Sequence, residues 1–223
     1  MLDLKKFFCC VAVVNLAFGS AFALDLHAVF DNQKKAAFPD TCEIQMRTTV
    51  TLPDGTSEIV ETTVIQAGES KSATTVKSRA VQMKIVQNDG RMKVTDLKTG
   101  KFLPASNMPM QNPADVNRQM GNPEDYNPPV AEGALWKITP KDASRPTFFY
   151  SQKNKRIVRM VVPVQGATAE TELEYSDASG ELPGTLKKVT IVTRVADGES
   201  KVVLEVLGAK RRHVLPGKIF DVE

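Results

Sequence analysis

Residues 155–220 constrain the fold more than any other part of the chain. A strand-like run, Arg156 to Val164, is followed by Thr171-Glu172-Leu173-Glu174-Tyr175, and a turn with Gly180, Pro183 and Gly184 comes next. Two further runs, Leu186 to Val195 and Lys201 to Leu207, are joined by Asp197-Gly198, and the chain closes on Leu215-Pro216-Gly217-Lys218-Ile219-Phe220. Short runs of alternating apolar and polar side chains, punctuated by Gly, Pro and Asp, predict an antiparallel meander. Glu170, Glu172 and Glu174 alternate with Thr171, Leu173 and Tyr175, while Lys188 and Arg194 oppose an apolar set of Val189, Ile191 and Val195. Opposite charges on neighbouring strands suit the solvent face of a sheet.

The first half repeats the two-residue period. Ile44, Met46, Thr48, Val50 and Leu52 face one way, and Glu43, Gln45, Arg47, Thr49 and Thr51 the other. Pro53-Asp54-Gly55-Thr56 is a turn by composition, with Ser57 to Gln66 as the return strand. Gly68 to Thr75 reads as a polar connection. Val81, Met83 and Ile85 alternate again, Asn88-Asp89-Gly90 marks a hairpin, and Met92 and Val94 continue the apolar face after it. Lys98-Thr99-Gly100-Lys101 is a further turn. Ahead of these strands, Leu26, Val29, Phe30 and Ala37 fall on one side at helical spacing, which predicts a short helix over Leu26 to Phe38, stopped by Pro39. Further strands are expected at Ala134 to Thr139 and Thr147 to Gln152.

These readings add up to about ten strands and two short helices. A long twisted antiparallel sheet must curl, close or be covered. With so few helices to cover it, the expected fold is mainly β. It is a curled antiparallel sheet, an incomplete β-barrel, enclosing a few short helices and able to hold a cavity.

Residues 1–23 have the pattern of a cleaved signal peptide. Lys5 and Lys6 precede a mostly apolar stretch, Phe7 to Phe18, and Ala21-Phe22-Ala23 fits a cleavage site. Cys9 and Cys10 sit too early in that stretch for lipid attachment. Residues 24–223 are then expected to form one domain. The formal charge is +3 for the whole chain, and loss of Asp3, Lys5 and Lys6 brings it closer to balance, which gives no electrostatic case for nucleic acid. Cys42 would be the one remaining cysteine, so no internal disulfide is expected.

Residues 104–146 hold a large share of the chain's 13 prolines, and Asn recurs at 107, 112, 117, 122 and 127. The Pro/Asn-rich stretch at about 104–133 reads as an insertion: a structured repeat or lid, or a turn-rich loop. Pro113 to Met120 is compatible with one or two helical turns.

Catalytic chemistry has little to build on. His27 and His213 are the two histidines, and neither stands in a zinc-binding spacing or beside a nucleophile elbow. Asp115, Glu124 and Asp125 match no calcium loop. No catalytic residue, metal ligand or cofactor is therefore assigned, and an enzyme acting on lipid or glycan has the least support. What remains is apolar. Met83, Met92, Met108, Met110, Met160, Trp136, Phe148, Phe149 and Tyr150 suit either the core of a β domain or a cavity for acyl chains, with Met108 and Met110 on a lid.

The meander resembles that of the outer-membrane lipoprotein-sorting protein family, the LolA-like class. The residues that carry the resemblance are Arg156-Ile157-Val158-Arg159-Met160, then Glu172-Leu173-Glu174-Tyr175-Ser176, then Leu182-Pro183-Gly184, the strand Leu186 to Val195 and the closing Gly217-Lys218-Ile219-Phe220-Asp221. The resemblance extends over 134–223, is looser over 24–103, and fails over 104–133. It implies an incomplete antiparallel β-barrel around helices, with a hydrophobic cavity that receives acyl chains. It also implies a periplasmic lipid- or lipoprotein-binding carrier working towards the outer membrane, served by an inner- or outer-membrane partner protein. The alternative is an envelope sensor or scaffold that binds another protein through the same fold. The family's lid-fastening arginine has a candidate in Arg47, whose other reading is an outward salt-bridge partner.

Overall fold

The computed structural model describes residues 24–35, 38–68, 70–104, 120–164, 167–177, 182–195 and 198–222. Helix α1 spans Leu26–Lys34, and the Asp25 carboxylate caps it by accepting the His27 N–H at 3.0 Å. It ends before the expected Phe38. The sequence after Gln33 is Lys34-Lys35, which offers no apolar face to bury.

Thirteen strands follow. They are β1 (Thr41–Thr51), β2 (Ser57–Ala67), β3 (Lys71–Lys77), β4 (Gln82–Asn88), β5 (Arg91–Asp96), β6 (Phe102–Leu103), β7 (Val130–Glu132), β8 (Leu135–Ile138), β9 (Thr147–Ser151), β10 (Arg156–Val164), β11 (Ala167–Tyr175), β12 (Leu186–Val195) and β13 (Gly198–Arg211). All belong to one sheet in the order β6-β5-β4-β3-β2-β1-β13-β12-β11-β10-β9-β8-β7, and every neighbouring pair is antiparallel. Two meanders therefore meet at the middle, where β1 pairs β13 from Thr51↔Lys201 to Cys42↔Arg211. The sheet is not closed, because β6 and β7 are its two edges.

The expected mainly-β, incomplete-barrel fold is what forms, with one correction. Among the described residues there is one α-helix, joined by 3-10 turns at Pro123–Asp125 and Gly217–Phe220; of the second expected helix, Pro113 to Met120, residues up to 119 lie outside the described residues. The correction concerns the supposed polar connection over Gly68 to Thr75. Strand β3 begins within it and pairs on both sides, with β2 and with β4. Its Ser and Thr side chains hid the strand, although Thr74, Thr75 and Val76 are β-branched residues that favour one. The Asn88-Asp89-Gly90 hairpin forms as read. Asp89 and Gly90 have φ of 47° and 82°, the backbone of a type I′ turn that matches strand twist.

Charges identify the outer face of the sheet. Registered pairs place Lys77, Glu61, Arg47, Glu205, Lys188 and Glu174 side by side on successive strands from β3 to β11, with alternating sign. Arg47 lies 3.3 Å from Glu61, and Lys188 lies 3.4 Å from Glu174. Such exposed pairs contribute little to stability, but with a period of two they commit the intervening residues to the inner face. Arg47 is thus an outward salt-bridge partner. The C-terminal 3-10 turn covers another part of the outer face. It buries Phe220 with Ala73 and Val86, flanked by Ile65, Ala67 and Ile219, and the Asn88 amide donates to the Phe220 carbonyl at 3.1 Å.

The turn over residues 120–126 returns the chain to the inner face and buries Met120 and Tyr126. Asp125 accepts the Asn122 N–H at 3.1 Å and pairs with Arg145; these donors, the Asn122 N–H first, hold its carboxyl below the usual range. Gly121 sits at φ +64°, and a Cβ there would lie 2.5 Å from the Arg145 guanidinium. Gly121→Ala should cost about 1–2 kcal/mol through the left-handed backbone and the displaced arginine. Urea titration checks this; an unchanged midpoint would mean that the turn rearranges freely.

Candidate functional site

The inner face is the one on which α1 packs. One apolar row crosses it as Val50, Val202, Ile191, Thr171, Met160, Phe148 and Ile138, each registered with the next across β1, β13, β12, β11, β10, β9 and β8. A second row crosses the other wing as Ile44, Val64, Thr74, Ile85, Val94 and Leu103, from β1 to β6. Ile44, Ile85 and Val94 are buried. The described helical elements pack elsewhere. Helix α1 lies against β10 and the Pro123–Asp125 turn, and the C-terminal turn lies against β3 and β4.

Helix α1 places Val29 and Phe30 in a cluster with Met120, Tyr126, Ile138, Phe148, Tyr150, Ile157, Met160, Leu173 and Val189. Within it Tyr126 bridges two rings, with centroids 5.6 Å from Phe30 and 5.4 Å from Phe148.

The candidate lipid-binding residues separate into groups. Phe148, Tyr150 and Met160 are buried together in this cluster, with Trp136 packed against it half-buried. Phe149 lies on the outer face, as the strand period requires. The Arg159 guanidinium covers it 4.5 Å from its ring centroid, and the Lys137 ammonium lies 6.0 Å away. Met83 and Met92 stand on the far wing, on β4 and β5; Met83 is half-buried, and Met92 is 37% exposed. Met108 and Met110 lie outside the described residues. The candidates therefore do not converge on a single pocket.

A polar device in the core was not expected. Strand β10 has a bulge at Val158, and β10–β11 pairing begins only at Arg159↔Glu172, so the two strands part beyond that pair. Gln33 and Tyr175 fill the opening. The Gln33 side-chain carbonyl accepts the Ile157 N–H at 3.1 Å, and the Tyr175 hydroxyl donates to the Ile157 carbonyl at 2.7 Å while accepting from the Gln33 amide at 3.0 Å. Gln33 of the helix and Tyr175 of β11 thus supply the hydrogen bonds that a paired strand backbone would otherwise make. Burial pushes the Tyr175 phenol up to about 12. The one signal in the sequence was Gln33 itself, a polar residue following Val29 and Phe30 at helical spacing on the apolar stripe.

A second opening lies between β12 and β13. Pairing stops at Lys188↔Glu205, whereas β13 continues beside β1 to Arg211. Two bulges lie just beyond the last pair, Lys187 on β12 and Leu207 on β13, and bulges end pairing by bending the strands that carry them. The cleft left between them has a volume of about 250 Å³ and is lined by Ser176, Leu182, Thr185, Leu186, Lys187, Val206, Gly208 and Ala209. One lip is a pinned turn, in which the Ser176 and Thr185 hydroxyls both donate to the Leu182 carbonyl at 2.7 Å.

No group of three or more His, Cys, Asp or Glu side chains capable of holding a metal occurs among the described residues. His27 faces Glu124 at 3.6 Å, with both side chains 69% exposed. Cys42 is fully buried, and burial, then Asp40, raises its thiol pKa. No described helix is long and apolar enough to cross a membrane.

No family model and no curated protein matches the chain. Solved structures do. A LolA superfamily protein from Nitrosomonas europaea aligns with a TM-score of 0.60 at 16% identity, covering 89% of this chain and 98% of that one. A putative outer membrane lipoprotein-sorting protein domain from Vibrio parahaemolyticus aligns with a TM-score of 0.56 at 8% identity, covering 88% of this chain and 95% of that one. A DUF1329 family protein from Desulfovibrio piger aligns with a TM-score of 0.51 at 12% identity, covering 88% and 97%. The fold is LolA-like over nearly the whole of this chain.

Proposed function

We propose that this LolA-like fold serves as a periplasmic carrier, exported by its N-terminal segment, which holds acyl chains of a lipid or lipoprotein against the inner face of the open sheet and moves them towards the outer membrane. The observation that carries the reading is the inner row from Ile44 to Leu103, apolar at all but one of its positions and away from the contacts of α1. The fold shared with a lipoprotein-sorting domain supports the same reading. Binding is non-covalent, and no step of it calls for a catalytic group.

The magnitudes select the cargo. Each buried methylene is worth about 0.8 kcal/mol, so a 16-carbon chain with half its length desolvated gains roughly 6 kcal/mol. That corresponds to a Kd in the tens of micromolar. Affinity then rises with the number and length of the chains that the row covers. Met83, half-buried on β4 beside this row, is the residue through which to test it.

Native mass spectrometry with lipid extraction, on protein exported to a bacterial periplasm, is expected to find phospholipid or acylated peptide bound. Met83→Glu should cut uptake at least tenfold with the circular dichroism spectrum unchanged. A clean apo mass, with no uptake of added lipid, would overturn the carrier reading in favour of a protein-binding scaffold.

A further inference from the structure

We infer that the edge of β13 from Val206 to Lys210 is a docking site for an extended polypeptide, which adds to the sheet as a strand in the cleft beside β12. The cleft borders the inner face, where its Val206 packs with Ile44 and its Leu186 with the α1 cluster, but the inference concerns the backbone edge alone and stands whether or not acyl chains bind the rows.

The first ground is unpaired backbone. Among the described residues, the β12-facing N–H and C=O groups of β13 beyond Lys188↔Glu205 have no strand partner, although β1 continues to pair its other side to Arg211. The opening between β10 and β11 provides the comparison within the same molecule. There Gln33 and Tyr175 hydrogen-bond the freed Ile157 groups. Among the described residues no side chain does this for residues 206–210, and the hydroxyls of the cleft bond instead to Leu182 in their own turn. An acyl chain covering this edge would bury polar groups that it cannot satisfy, whereas a peptide backbone satisfies them. An unpaired strand edge beside apolar pockets is how strand-addition sites bind.

The second ground is Gly208. Glycine weakens a strand interior and marks a bulge, a bend or a place where another backbone approaches closely. It follows the Leu207 bulge, which is one use of a strand glycine, and it also lines the cleft. Its φ is not in the left-handed region, and the nearest heavy atom to a Cβ built on it is the Gln45 side-chain oxygen at 4.0 Å. Gly208 lines the cleft, so a side chain added there would change its wall.

The lining also specifies the partner. Leu182, Leu186, Val206 and Ala209 accept small apolar side chains at alternate positions, and Lys187 is the charged lining residue. No carboxylate pairs with Lys187 among the described residues, and Lys210 is exposed at the end of the same edge. The fitting segment is extended and β-branched, with an acidic residue at its end.

The test is backbone hydrogen exchange of the full chain with the peptide acetyl-Glu-Val-Thr-Val-Thr-Val-Glu-amide. Amides within 206–210 that face away from β1 should exchange at least tenfold more slowly with the peptide, and should be unaffected by a version with proline at the Thr positions. Gly208→Val should abolish the slowing while leaving the thermal midpoint at or above that of the parent, since valine suits a strand and meets no clash. Acyl-chain uptake should be the same in Gly208→Val as in the parent, so a failed carrier reading and a failed docking site give different results. The inference is overturned if these amides are already as protected as those of 199–205 without peptide. It is equally overturned if millimolar peptide changes nothing, or if Gly208→Val binds as the parent does. Slowing by phosphatidylglycerol vesicles but not by peptide would also overturn it, and would assign the edge to a lipid surface.

Discussion

Gln33→Ala is expected to lower unfolding stability by about 2–4 kcal/mol, since it strips a partner from the Ile157 N–H and from the Tyr175 hydroxyl in the splayed β10–β11 junction. For a domain of this size that corresponds to a fall in Tm of roughly 5–12 °C. The effect is large because Gln33 is buried and both ends of its amide are used. Tyr175→Phe should cost about 1–3 kcal/mol, as it leaves the Ile157 carbonyl unpaired. The phenol also makes stability depend on alkaline pH. Its pKa is pushed up to about 12 in the folded protein, against about 10 in an unfolded chain. The folded state therefore holds the proton more tightly. The stabilisation is complete below pH 10 and declines as pH rises from 10 towards 12, where the unfolded state gains by ionising. Tyr175→Phe should remove this part of the slope, leaving that due to lysines. Urea unfolding of both proteins between pH 9 and 11.5 decides it, and parallel curves would show that the phenol ionises as readily folded as unfolded.

Phe148→Ala carries the other large expected effect, a loss of about 3–5 kcal/mol. Phe148 is fully buried, pairs with Met160 and Ile138 across the sheet, and stacks against Tyr126. The cavity cannot collapse readily, because its walls belong to three hydrogen-bonded strands. Phe148→Leu should cost less than about 2 kcal/mol, since it restores most of the volume. Phe102→Ala is the contrasting case. Its side chain is 68% exposed on an edge strand, so the change should stay within about 0.5 kcal/mol. Equal losses at Phe148 and Phe102 in chemical denaturation would refute this account of where the core lies.

These expectations also show how unevenly the site could be read. Phe148, Phe149 and Tyr150 are consecutive aromatic residues, and as a composition they suggested a single apolar lining. The pleat separates them: Phe148 and Tyr150 lie in the core, whereas Phe149 lies under Arg159. Strict alternation would have predicted that separation. The methionines are different. Met83 and Met160 both sit at inward positions, and only the order of the strands shows that they stand on opposite wings of the sheet. The bulges at Lys187 and Leu207 had no marker at all, because a bulge depends on how two strands meet.

Local patterning was enough to determine that this chain forms antiparallel strands, where most of its hairpins turn, and which side of each strand is charged. A two-residue period and the left-handed backbone of Asp89-Gly90 act within a few residues and are written there. Tertiary structure alone decided that β1 and β13, some of the most distant strands in the chain, are neighbours. They pair because that contact buries Cys42, Ile44 and Met46 against Leu204 and Val206. It also decided that Gln33 substitutes for a strand, and that β12 and β13 part where Gly208 lies. Each of these depends on satisfying backbone groups across long sequence separations, and no local run of residues carries that requirement.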